Sequence, residues 1–113
     1  MTAFEKVLDT LESLGIPIVR NKYNGQERSY IIFTTIDEND TFVTDNESEG
    51  ELTYFAITYW NDGTQPDLTR KIKNAMKANG FIKIGNRDNH DEGFHGVILE
   101  YQILLWNHEL DEE

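Results

Sequence analysis

The chain contains no cysteine and only two prolines. Without cysteine there is no disulfide framework and no thiolate zinc site, a composition that suits a reducing compartment. No apolar run reaches the length that spans a bilayer. The opening Met1-Thr2-Ala3-Phe4-Glu5-Lys6 lacks the basic-then-apolar order of a secretion signal, so the expectation is a protein made and used in a cytoplasm, with no membrane partner. Cations are also scarce. Ten Lys and Arg face 21 Asp and Glu, which argues against nucleic acid as the main partner, because phosphate contacts need clustered positive charge. There is no nucleophile elbow, phosphate-binding glycine loop or dinucleotide fingerprint. Ser29 and Ser48 have no recognisable histidine partner, and Asp37 and Asp40 read as solvated turn carboxylates. The expectation is no enzyme, no catalytic residue and no cofactor.

What the chain does have is segregated charge. The stretch 68–87 holds Arg70, Lys71, Lys73, Lys77, Lys83 and Arg87 and no acid. Its charge of +6 leaves −17 for the rest of a chain whose net charge is −11. A chain divided in this way is able to pair with its own copies, positive patch to negative patch, although a solvated helix face gives the same pattern. The length of 113 residues suits one domain, expected over 1–107. An acidic, loose tail is expected over 108–113.

Residues 52–80 organise the reading. Leu52-Thr53-Tyr54-Phe55-Ala56-Ile57-Thr58-Tyr59-Trp60 is β-branched and aromatic, of strand type. A turn through Asn61-Asp62-Gly63-Thr64 leads to a helix from about Gln65 to Asn79, with Thr64 as N-cap, Pro66 and Asp67 in the first turn and Gly80 closing it. Leu68, Ile72, Ala75 and Met76 form its apolar stripe, and the basic residues lie outside that stripe.

Earlier in the chain, Thr2 and Glu5 have capping-box spacing, and Phe4, Val7, Leu8, Leu11 and Leu14 recur at helical spacing before Gly15 and Pro17 end the helix. Residues 16–19 read as a short extended segment and 29–36 as a strand. Asp37-Glu38-Asn39-Asp40 reads as a break and 41–45 as a further short strand. The strands before the second helix are expected to form an antiparallel meander. After it come a strand over 81–84, a polar hairpin loop over 85–93 and a final strand over 94–106. In that strand Val97, Leu99, Tyr101, Ile103 and Leu105 share one face, while Ile98, Glu100, Gln102, Leu104 and Trp106 share the other. Leu104 and Trp106 on the mixed face point to a partner surface. The expected architecture is α+β, an antiparallel sheet of about five strands with two helices on one face in the order α-β-β-β-α-β-β.

Two acidic or histidine-bearing stretches imitate metal sites. His90, Asp91, Glu92 and His95 are close in sequence but sit in a solubilising loop with no fixed shell around them. Asp45-Asn46-Glu47-Ser48-Glu49-Gly50 copies the start of a calcium loop, but its twelfth position is Ala56 and strands flank it. No metal is expected at either.

The order of elements, with Leu14-Gly15-Ile16-Pro17-Ile18 after the first helix, Tyr54 to Leu68 as a strand running out just before a helix, and Val97-Ile98-Leu99-Glu100-Tyr101-Gln102-Ile103 in the last strand, resembles the small tail-completion and tail-terminator proteins of long-tailed bacteriophages and prophages. The resemblance spans roughly Phe4 to Trp106 and carries no catalytic signature. It implies a structural protein of the head–tail junction that forms a ring, typically hexameric, ends tail-tube growth and meets the head connector, with the tail-tube protein as its other partner. It implies location in the virion, and in the host bacterial cytoplasm during assembly. A ring needs head-to-tail contacts. Arg70, Lys71, Lys73 and Lys77 are expected to face Asp37, Glu38 and Asp40 of a neighbour, with loops 21–28 and 85–93 ordering on docking. The rival reading is an acidic protein-binding module, of inhibitor or immunity type, that neutralises a basic partner.

Overall fold

A computed structural model describes residues 2–23, 25, 29–41, 50–62, 68–91 and 93–106. The first helix, α1 (Ala3–Leu11), starts as its sequence predicts. The Glu5 amide donates to Thr2 Oγ1 (3.1 Å), and the Thr2 amide donates to Glu5 Oε1 (3.3 Å). The helix tightens into a 3₁₀ turn (Glu12–Leu14) and stops at Gly15, whose φ of +70° is the left-handed conformation that glycine adopts without strain.

Five strands form one sheet: β1 (Ile18–Arg20), β2 (Ser29–Thr41), β3 (Gly50–Asn61), β4 (Ile82–Asp91) and β5 (Phe94–Trp106). The second helix, α2 (Leu68–Ala78), joins β3 to β4. The element order is therefore the expected one, but the sheet order is β1-β2-β3-β5-β4, and β1 runs parallel to β2. The sheet is thus mixed rather than wholly antiparallel. Three residues suffice for the parallel pair because the chain on either side extends it. Pro17 O accepts from the Ile31 amide (2.8 Å), and the Asn21 amide donates to Phe33 O (2.9 Å).

Two expected loops are strand. β2 continues through Asp37, Glu38, Asn39 and Asp40 to Thr41, which closes it; no separate strand starts at Thr41, and 42–45 lie outside the described residues. A bulge at Ile36 absorbs one residue, after which Asp37 to Asp40 pair with Tyr54 to Glu51. Likewise β4 runs through the polar 85–91, held by pairing to β5, with a second bulge at Ile84. β4 ends at Asp91 and β5 begins at Phe94, with Gly93 before it at φ +86°.

Strand alternation then sorts the side chains. Ile31, Phe33, Phe55, Ile57, Tyr59, Leu99, Tyr101, Ile103 and Leu105 are buried on one face beneath Ala3, Val7 and Leu11 of α1 and Ile72 and Met76 of α2. Both helices cover that face. Phe55 sits at the centre, its ring 4.9 Å from Phe33 and 6.1 Å from Tyr101 in stacked pairs and 5.7 Å edge-on from Phe81.

Candidate assembly surfaces

Three surfaces carry the residues singled out above. The first is basic. Ile72 and Met76 are fully buried and Leu68 and Ala75 pack beside them, so the helical period turns Arg70, Lys71 and Lys77 outward and leaves Lys73 half-buried at the flank. The expected caps Thr64, Pro66 and Asp67 lie outside the described residues. At the other end Gly80 (φ +87°) stops α2 in a Schellman arrangement: the Gly80 amide donates to Lys77 O (3.3 Å) and the Phe81 amide to Met76 O (3.1 Å). That turn drops Phe81 into the core. It also starts β4 in a register where Lys83 lies opposite Tyr101 and so faces the helix layer. Lys73 and Lys77 from the helix and Lys83 from the strand thereby line one groove of about 500 Å³, with Asn74, Phe81, Ile82 and Tyr101. Among the described residues no carboxylate lies within ion-pair distance of these three lysines. Burial pushes the Tyr101 hydroxyl up to about 12, so it stays neutral beside them.

The second surface is acidic and lies across the sheet. Asp37 and Glu38 are exposed where β2 leaves its bulge, and Asp37 Oδ1 accepts from the Glu38 amide (2.9 Å). Glu38 borders a small hollow with Thr2, Phe4 and Arg20. Asp40 is on the same strand, but its side chain lies outside those described. β3 and β5 stand between β2 and β4, so the acids and the lysine groove are on opposite flanks of one subunit. The fold brings Lys73 and Lys77 together with Lys83 and, among the described residues, does not bring them to Asp37 or Glu38 of the same chain.

The third surface is the sheet face without helices. Ile32, Tyr54, Thr58, Trp60, Ile98 and Leu104 are half-buried there. Both tryptophans lie on it, each opposite a glycine: Trp60 on β3 pairs with Gly96 on β5, and Trp106 on β5 pairs with Gly50 on β3. Trp106 is 37% exposed, and Ile82, on β4 at the flank of this face, is 58% exposed. Arg87 Nη2 donates to Glu100 Oε1 (2.9 Å), tying β4 to its neighbour across this face.

Of the imitated metal sites, the calcium-like stretch 45–49 and Glu92 lie outside the described residues, as do the side chains of His90 and Asp91. Pairing sets His90 opposite His95, and among the described residues no three His, Asp or Glu side chains converge. Sequence reading missed Phe81, Ile82, Lys83 and Tyr101 as members of a site. Lys83 was visible in the basic stretch, but its place beside Lys73 and Lys77 follows only from the β4–β5 register.

No protein-family model matches the chain, and no curated protein matches its sequence. Among solved structures, one chain of the "Virion of native gene transfer agent (GTA) particle" superposes with a TM-score of 0.59 at 12% identity, covering 93% of this chain and 92% of that one. At that identity the likeness is one of fold, and it extends over nearly the whole of both chains.

Proposed function

We propose that this chain is a structural protein of a phage-like virion, placed at the head–tail junction, where a ring of subunits caps or completes the tail and joins it to the head connector. The observation that carries the reading is the end-to-end likeness of fold to a chain of a gene transfer agent virion. It agrees with the order of elements that resembles tail-completion and tail-terminator proteins. Two features of the surface support it. The lysine groove and the Asp37/Glu38 flank are on opposite sides of the subunit, as a head-to-tail ring requires. The helix-free face presents apolar side chains that a neighbour would bury. In this reading the protein has no catalytic role and needs no cofactor; its partners are its own copies, the tail-tube protein and the head connector.

The deciding experiment is deletion of the gene from the parent phage or prophage, followed by electron microscopy of the particles. Overlong tails identify a terminator, and tails of normal length left apart from filled heads identify a joining protein. Complete, infectious particles would refute the proposal. Lys73→Glu with Lys77→Glu is expected to weaken ring formation on tails and to reduce its salt dependence. Unchanged assembly would separate these lysines from the subunit contact. The acidic-module alternative instead requires a lone monomer that binds a basic protein stably.

A further inference from the structure

The sheet is open at both sides. β1 and β4 are its outer strands, and β1 pairs with β2 only at Ile31, Ile32 and Phe33. Among the described residues no strand lies outside β4 or outside the 34–41 part of β2. Each margin also has an exposed isoleucine at its bulge, Ile36 on β2 and Ile84 on β4. Sheet margins of this kind accept a further strand through the main chain. Their charges differ in sign. On β2, Asp37 pairs with Tyr54 and lies on the helix-free side, whereas Glu38 pairs with the buried Thr53 and lies on the helix side. On β4, Arg87 pairs with Ile98 on the helix-free side, and Lys83 pairs with Tyr101 on the helix side, beside Lys73 and Lys77 of α2. Setting β2 against β2 would bring acids to acids, and β4 against β4 would bring two lysine grooves together. Setting β4 against β2 brings base to acid on both sides of the sheet. The strand directions agree. Three antiparallel pairings separate β2 from β4, so they run in opposite directions. A second copy placed beside the first in the same orientation therefore meets it antiparallel. Its helices stay on the same side, and one margin of each copy stays free for another.

We propose that copies of this chain join edge to edge, β4 of one against the outer margin of β2 of the next, with Arg87 opposite Asp37 and Asn86 opposite Glu38. In this register Glu38 is diagonal to Lys83 on the helix side, within reach of a long side chain. A slip of two residues would instead set Glu38 against Asp88, acid to acid. Arg87 already holds Glu100, but its side chain is 67% exposed, and a guanidinium has donors left for a second carboxylate. The pairing stands on the two margins and their charges. That it repeats to close a ring rests on the functional reading above.

The chain has no cysteine, so disulfide trapping reads the contact directly. Isotope-labelled Glu38→Cys is mixed with unlabelled Asn86→Cys at high concentration and low salt, in a glutathione redox buffer. Both substitutions are on exposed positions and leave Asp37 and Arg87 in place. The expected product by mass spectrometry is the mixed disulfide, in excess of either homodimer. Replacing Asn86→Cys with Asp88→Cys should remove it, because a diagonal neighbour lies about 7–8 Å away, beyond the span of a disulfide. No mixed disulfide would overturn the proposal. So would an excess of the Asn86→Cys homodimer, which reports β4 against β4, or equal trapping through Asp88→Cys, which reports another register. The measurement uses purified subunits and is separable from the particle phenotype. A mixed disulfide together with normal particles after gene deletion would keep the pairing and remove the role in the virion.

Discussion

The indole of Trp60 lies directly on Gly96. A Cβ built at Gly96 would stand 2.8 Å from Trp60 Cζ3 and 2.9 Å from Cη2. The two residues are paired across β3 and β5 on the helix-free face. The glycine is required by the approach of the ring, and the ring in turn covers backbone that a glycine leaves bare. Gly96→Ala is expected to tilt the indole outward and destabilise the fold by about 1–3 kcal/mol. Urea unfolding followed by tryptophan fluorescence, in a Trp106→Phe background, reads both the stability loss and a red shift of the native emission.

Phe55 is fully buried and packs against three rings, Phe33 of β2, Tyr101 of β5 and Phe81 of the turn between α2 and β4. Phe55→Ala removes that common centre and should cost about 3–5 kcal/mol. A smaller change would mean that Phe33, Phe81 and Tyr101 close over the space, which denaturant titration would register.

Gly80 has the φ at which any side chain is strained, and its Cβ would otherwise meet nothing closer than Ile103 at 4.0 Å. The expected cost of Gly80→Ala is therefore conformational rather than steric, about 1–2 kcal/mol. Asn is expected to restore part of it, because asparagine tolerates the left-handed region better than alanine does. Thermal unfolding of the two variants checks the order.

Tyr101 and Tyr59 both have hydroxyl pKa values raised by burial, Tyr101 from 10.0 to about 12. The unfolded chain loses the Tyr101 proton first as pH rises. The contribution of this group is therefore whole below pH 10.0, falls between there and about 12, and is gone above. Stability measured against pH should decline over that window, with tyrosinate absorbance rising as structure is lost. Tyr101→Phe should flatten the decline.

How far the sequence could be read depended on whether an element's cause is local. The capping box at Thr2 and Glu5, the stop at Gly15 and the stripes on both helices act within a few residues, and each has the expected form. So does the division of faces along β5. Asp37 to Asp40 have turn-type side chains, yet they are strand because β3 supplies a partner to each. Residues 85–91 are strand for the same reason, through β5. The parallel β1–β2 pair rests on backbone bonds from Pro17 and Asn21, which leave no side-chain pattern to read. The basic wall of α2 was legible; the groove was not, because its second wall depends on which residue of β4 lies opposite Tyr101.

Sheet order has a consequence for synthesis. β5 is the last of these five strands to be made, yet it lies between β3 and β4. On the ribosome, a nascent chain that has extruded α2 and β4 still has the aromatic edge of β3 unpaired and β4 with no sheet to join. The sheet closes only when the segment ending at Trp106 has been made and slots into the gap, so it is not completed strand by strand in chain order. A polypeptide stopped before Phe94 would expose two bare sheet margins at once, and it should be drawn into aggregates or cleared by proteases.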